Sequence, residues 1–178
     1  LSAPSEDRVF NTALVWGPDG QPRARYDKIH LFKFAKGKES YDESHAIRPG
    51  TQSVAVDIGG AKVGLSVCYD LRFPQLFRTL AQAGAQIITV PSSFQRQTGK
   101  AHWHAILRSR AIETGCFVFA PAQVGTHKGS NRQTYGHSIA VAPWGEVLVD
   151  AGGEKAGFVL ADIDLAKVEE ARKAVPSL

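Results

Sequence analysis

The segment KVGLSVCYDLRFPQL, residues 62–76, decides how the rest of the chain is read. Its first half alternates apolar with small or polar residues at the period of a strand, and it ends at Cys68. Beyond Pro74 the period lengthens. Leu76, Phe77, Leu80 and Ala81 share one helical face, Pro74 suits the first turn and Gly84 the C-terminal cap. A strand that runs into a cysteine and turns into a helix carries the thiol to where backbone N–H groups converge. The positive helix end favours a thiolate there, and the same amides can receive a developing oxyanion. The logic is that of the nucleophile elbow of α/β-hydrolases, without their Gly-x-Ser-x-Gly signature. A small buried hydrophobe is the other reading of a free cysteine. Residues 62–76 alone leave both open.

Upstream, SVAVDI and KVGLSVC flank a Gly-Gly pair and predict a hairpin. NTALVW and GPDGQPRARYDKIHLF predict two strands around a Pro-Asp-Gly turn, and AKGKESYDESHAIRPGTQ a long surface loop. Downstream, QIITVPSSF is a buried strand that ends in a polar loop. KAHWHAILRSRAIETG is a helix that packs Trp103, Ile106, Leu107, Ala111 and Ile112 and stops at Gly115. CFVFAPAQVG, HSIAVAPWG, EVLVDAGG and FVLADIDL supply four more strands, and AKVEEARKAV a charged closing helix. Strand and helix alternate in the centre and a meander follows. The fold class is α/β: a sheet covered on one face by helices, its other face against a further sheet.

The 178 residues, 43% hydrophobic and 21% charged, suit one domain with a sizeable core. No apolar run approaches the ~20 residues that span a bilayer, and LSAPSEDRVF lacks the marks of a signal peptide. Two cysteines, each at the edge of an apolar run, argue against a disulfide scaffold and for a reducing, cytoplasmic setting. The net charge of +4 gathers in Arg23, Arg25, Lys28, Lys33, Lys36 and Lys38. No nucleic-acid motif accompanies that run, so it reads as a solvated stretch.

A nucleophilic cysteine needs a base. His137 opens a strand, His102 and His104 lie on the second helix, and His30, His45 and His127 complete the set. No thiol-protease signature surrounds Cys68. Two distant cysteines and no His-x-x-x-His pair leave no zinc spacing, so no metal is expected. Cys116, inside CFVFA, reads as a packed thiol.

YDKIHLF, YDES, GLSVCYDLRFPQL, PSSF, TGKAHWHAILRSRAIET and YGHSIAVAPWGEV occur in that order over nearly the whole chain. Together they resemble the nitrilase superfamily of carbon–nitrogen hydrolases, in particular its Nit branch of amidases. The resemblance implies an αββα sandwich, homo-dimers or larger homo-oligomers, and a Glu–Lys–Cys catalytic set acting on a small-molecule amide. No cofactor, nucleic acid or membrane is implied. By motif position Cys68 is the nucleophile, Lys28 the catalytic lysine, and Glu43 a further active-site glutamate beside it. The Tyr69 backbone N–H is implied in the oxyanion hole. Arg72, Phe73, Ser93, His102 and Trp103 are candidate substrate-binding residues, and Glu113 a structural one.

An ammonium beside the thiol is expected to lower its pKa, so that Cys68 is ionised at neutral pH. Arg23 and Arg25 are expected to help recruit anionic substrates. The family's general-base glutamate precedes the lysine by a long stretch, and Glu6 does not match its motif. Residues 1–178 are therefore expected to be an N-terminally incomplete single domain, with little or no amidase activity alone. Nitrile or N-carbamoyl hydrolysis, and a non-catalytic binding or assembly module, are the alternatives to amide hydrolysis.

Overall fold

The computed structural model describes residues 7–36, 39–129 and 132–178, so Glu6 and Lys38 lie outside the described residues. Twelve strands and three α-helices follow one another along them. They begin with β1 (Thr12–Trp16), β2 (Pro22–Asp27), β3 (Lys33–Lys36), β4 (Glu39–Asp42), β5 (Val54–Ile58) and β6 (Ala61–Leu65). Next come α1 (Pro74–Gln82), β7 (Ile87–Thr89), α2 (Arg96–Thr114), β8 (Phe117–Ala120), β9 (Val124–Thr126) and β10 (Gln133–Tyr135). β11 (Ile139–Val141), β12 (Val147–Asp150) and α3 (Ala166–Ala174) complete the order.

β5 and β6 form the hairpin expected from residues 53–68, closed by Gly59 and Gly60 at φ 57° and 85°, a pair of positive values that glycine adopts without strain. This hairpin is one edge of the central sheet, whose order is β12-β11-β8-β7-β6-β5. β6, β7 and β8 run parallel, which demands crossovers, and α1 and α2 supply them. The buried face of α1 is Leu76, Phe77, Leu80 and Ala81, the set read from the sequence. Trp103, Leu107 and Ala111 of α2 are buried likewise. The result is a mixed α/β fold with helices on a central sheet.

Several details differ from expectation. Within the stretch read as loop, β3 and β4 pair as a small hairpin. α2 begins at Arg96, four residues before the stretch read as helix, and Ile112 is half exposed rather than packed. β10, a Gln-Thr-Tyr triplet too short to signal itself, pairs with β9. FVLADIDL forms no strand among the described residues. No edge there runs beside it, and Phe158 and Leu160 stand 86% and 82% exposed. Outside the central sheet the described strands form three two-stranded ladders rather than one broad second layer.

Candidate active site

Parallel strands release their following loops on the same side of a sheet. The loops after β6, β7 and β8 therefore converge, and Cys68, Pro91–Gln95 and Pro121–Gln123 line one cavity of about 910 Å³. Backbone bonds stitch these loops together: Cys68 N donates to Pro91 O at 3.0 Å and Ser92 N to Pro121 O at 2.9 Å.

Cys68 opens a 3-10 turn, Cys68–Arg72, at φ 51°. A left-handed non-glycine residue at a strand-to-helix corner is strained, and such strain collects at functional positions. The side chain is half-buried. Burial pushes the Cys68 thiol above its ordinary value of 9.0, more than the Lys28 ammonium and the Ser93 amide pull it down. The expectation of a thiolate at neutral pH is therefore corrected: desolvation outweighs the cation, and α1 starts six residues later, at Pro74.

Lys28 and Glu43 reach the same cavity from outside the sheet. Lys28, 2% exposed, donates through Nζ to Glu43 Oε2 at 2.6 Å. Phe32 N donates to the same oxygen at 2.7 Å, and Asn11 Nδ2 to Oε1 at 3.3 Å. Burial raises the Glu43 carboxyl, but Lys28 and these donors together hold it below the usual carboxylate range. The ion pair is thus preformed, with its ammonium near the thiol. Close packing holds the lysine loop: Gly50 N donates to Lys28 O, and a Cβ at Gly50 would meet Asp27 O at 2.1 Å, so only glycine fits.

The lysine loop and the cysteine elbow share one carboxylate. Asp70, fully buried, accepts from Tyr26 Oη at 2.7 Å and Val67 N at 2.8 Å through Oδ2. Through Oδ1 it accepts from His30 N at 3.0 Å and His30 Nδ1 at 2.8 Å. Asp70 went unremarked in the sequence, although it lies inside the cysteine motif. Burial, with the Asp70 charge, raises the Tyr26 phenol far above its ordinary value, which keeps it a donor. Arg110 of α2 holds the other side of the elbow, donating to Leu71 O at 2.9 Å and pairing with Glu113, which has the structural place expected of it.

Of the residues singled out by motif, the cavity wall brings together Cys68, Lys28, Glu43, Tyr69 and Ser93. Ser93 contributes its amide toward Cys68, while its hydroxyl meets His127 Nε2 at 3.1 Å. Four candidates lie elsewhere. Phe73 stacks on His30 at 3.7 Å, and Arg72 contacts His102 Nδ1 at 3.2 Å behind the Tyr69 and Phe94 rings. Trp103, 0% exposed, packs on Phe94 and donates to His137 O, because it shares the core-facing side of α2 with Leu107 and Ala111. Arg23 and Arg25 pair with Asp19 and Asp27 and take no part in the cavity wall. Cys116 is buried against Ala85 O and Arg172, a packed thiol.

Sequence reasoning missed Arg132 and Gln95, which also line the cavity, and offered His127, a third lining residue, only as one of six candidate histidines. Arg132 lies over the Tyr41 and Phe32 rings at 4.9 and 5.7 Å. Gln95 Oε1 is the one buried side-chain acceptor among the described residues that has no partner.

The carbon–nitrogen hydrolase family model matches residues 2–173. The chain belongs to the carbon–nitrogen hydrolase family. It is 43% identical over 175 residues to a deaminated glutathione amidase of Synechocystis sp., covering 96% of this chain and 63% of that protein. It is 42% identical to human omega-amidase NIT2, covering 98% of this chain and 64% of the other. Among solved structures, the Caenorhabditis elegans NitFhit protein superposes with a TM-score of 0.86 at 41% identity, covering 98% of this chain and 42% of that one. A mutant amidase from Nesterenkonia sp. AN1, bearing the acetamide moiety of fluoroacetamide on its active-site cysteine, gives 0.74 at 30% identity, over 92% and 58%. The chain thus spans a little under two thirds of the length of these curated relatives.

Proposed function

We propose that this protein hydrolyses a non-peptide amide bond in a small carboxylate-bearing substrate, through an acyl-thioester on Cys68. The observation that carries the reading is the Lys28–Glu43 ion pair in the wall of the cavity that holds a strained Cys68 at a strand end. The Cys68 sulfur adds to the amide carbonyl, and its proton passes to a base and on to the departing nitrogen. Lys28, paired with Glu43, and the Tyr69 N–H stabilise the oxyanion. Ammonia or an amine leaves, and water then cleaves the thioester to release the acid and restore the thiol.

Glu43 is not the base in this scheme, since Lys28, Phe32 and Asn11 occupy its oxygens. The proton acceptor is a further carboxylate, from the part of the family domain that these residues do not span. Arg132, stacked at the cavity wall, pairs with the substrate carboxylate, and Gln95 Oε1 accepts from its amide nitrogen. Relatives named deaminated glutathione amidase and omega-amidase favour an amide over a nitrile or N-carbamoyl substrate. The reading extends to a cytoplasmic homo-oligomer. Two free cysteines support the first, and the exposed Phe158 and Leu160 the second. No helix of the described residues is long and apolar enough to cross a membrane.

The test is ammonia release by the protein carrying the full family domain, over carboxylate-bearing amides, neutral amides, nitriles and N-carbamoyl amino acids. Carboxylate-bearing amides should turn over fastest and Cys68→Ala should abolish release. Preferred turnover of nitriles, or activity that survives Cys68→Ala, would overturn the reading. Complete inactivity across the panel would favour the rival, a binding or assembly module without turnover.

A further inference from the structure

Outside the Cys68 cavity, the structure gathers three metal-ligating side chains that are far apart in sequence. His104 comes from α2, His137 from the connection between β10 and β11, and Asp150 from the end of β12. Their ligand atoms all lie within 4.8 Å of one another. His104 Nε2 is 2.8 Å from Asp150 Oδ2, and His137 Nδ1 is 3.0 Å from both oxygens of the same carboxylate. We propose that His104, His137 and Asp150 form a binding site for one divalent cation of the zinc class.

The donor set selects that class. Two imidazoles and one carboxylate suit zinc, nickel or copper, whereas calcium and magnesium require oxygen-rich shells. One imidazole would be enough to tie down the carboxylate. Here two converge on it, with ring centroids 5.1 Å apart. Zinc bonds of about 2.0–2.1 Å place neighbouring ligand atoms roughly 3.3–3.5 Å apart. The two imidazole–carboxylate contacts need to open by about half an ångström, and the two imidazole nitrogens, within 4.8 Å of each other, to settle at the same spacing through side-chain rotation. Side-chain exposures of 35, 26 and 29% leave the remaining coordination positions to water or a fourth ligand.

The surroundings pre-orient the ligands. His137 sits at φ 58°, a left-handed value uncommon for a non-glycine residue. Its N–H donates to Gly152 O at 2.8 Å, and its carbonyl accepts from the buried Trp103 indole at 2.9 Å. Tyr135 stacks on its ring at 4.3 Å, and a Cβ at Gly153 would stand 3.0 Å from its Nε2. Asp150 Oδ1 accepts from Gly152 N at 2.8 Å. Arg96, Lys100 and Lys155 line the adjoining depression, so the cation is held by direct ligation rather than by a negative field. Bound metal would join α2 to the β11–β12 hairpin.

Zinc chloride titrated calorimetrically into the protein, with Cys68 first alkylated so that no thiolate competes, tests the site. One equivalent per chain should bind, and magnesium should not. His104→Gln and Asp150→Asn should each weaken zinc at least ~100-fold, since even residues that only support a metal's ligands are worth 10–100-fold. Copper substituted at the site should show two imidazole nitrogens by electron paramagnetic resonance, a readout that needs no variant. Absence of saturable zinc binding, unchanged affinity in both variants, or a copper spectrum without nitrogen couplings would overturn the proposal. Cys68 takes no part in the assay, so failure here is separate from failure of the hydrolase reading.

Discussion

Asp70→Asn is the substitution through which the framework of the site is most exposed to measurement. The carboxylate is fully buried and accepts from Tyr26, Val67 and twice from His30. An isosteric amide keeps one acceptor oxygen for His30 and turns an NH2 group toward Val67 N–H and Tyr26. The phenol can rotate to accept, but the Val67 amide cannot. A stranded buried N–H costs about 1–3 kcal/mol, and loss of charge from the remaining bonds about 1 kcal/mol each. The sum is roughly 3–5 kcal/mol, a large part of a typical stability of about 5–15 kcal/mol. At about 2–4 °C per kcal/mol for a chain of this size, the melting temperature should fall by roughly 6–20 °C. Differential scanning calorimetry reads that directly. Because Tyr26 and His30 flank Lys28, and Val67 precedes Cys68, turnover should also fall in whatever fraction stays folded. A melting point within about 2 °C of the unsubstituted protein would refute the idea that Asp70 joins the lysine loop to the cysteine turn.

Three further outcomes are expected. Glu43→Gln strands a buried ammonium and should cost about 3–5 kcal/mol by urea unfolding, and little change would mean Lys28 finds another partner. Gly50→Ala drives a methyl into Asp27 O and should destabilise by at least ~1–3 kcal/mol, with no loss showing that the lysine loop yields freely. The thiols of Cys68 and Cys116 are both raised above 9.0 in the folded chain, so the native state holds their protons longer than the unfolded one. The thiols' contribution to stability should be level below pH ~9 and decline as pH climbs through the folded values, while Cys68 alkylation by iodoacetamide accelerates only above pH ~9. A rate plateau reached below pH 8 would show a depressed thiol instead.

The hairpin, the strand–cysteine–helix corner and both crossover helices were legible because their signals are local: period, Gly-Gly, Pro74, Gly84 and Gly115. The family resemblance, rather than any local signal, pointed to Lys28, Glu43, Cys68 and Tyr69, which share one cavity wall. What sequence could not carry is direction and distance. Phe73 and Trp103 sit next to motif residues but point into neighbouring packing, while His127, Arg132 and Gln95 enter the cavity from loops without a pattern of their own. The sign of the Cys68 shift was missed because proximity to a lysine is visible in a motif, whereas desolvation appears only after folding. His104, His137 and Asp150 escaped a search for ligand spacing because three separate elements bring them together.

The central claim is that Cys68, served by Lys28, is the nucleophile, and fluoroacetamide tests it most directly. The attacking sulfur displaces fluoride and leaves an acetamide moiety that peptide mass mapping locates, using the protein with the full family domain. The account predicts modification of Cys68 with Cys116 unmodified, and labelling slowed at least ~10-fold in Lys28→Met. Equal labelling of both cysteines, or a Cys68 rate untouched by the loss of Lys28, would contradict it.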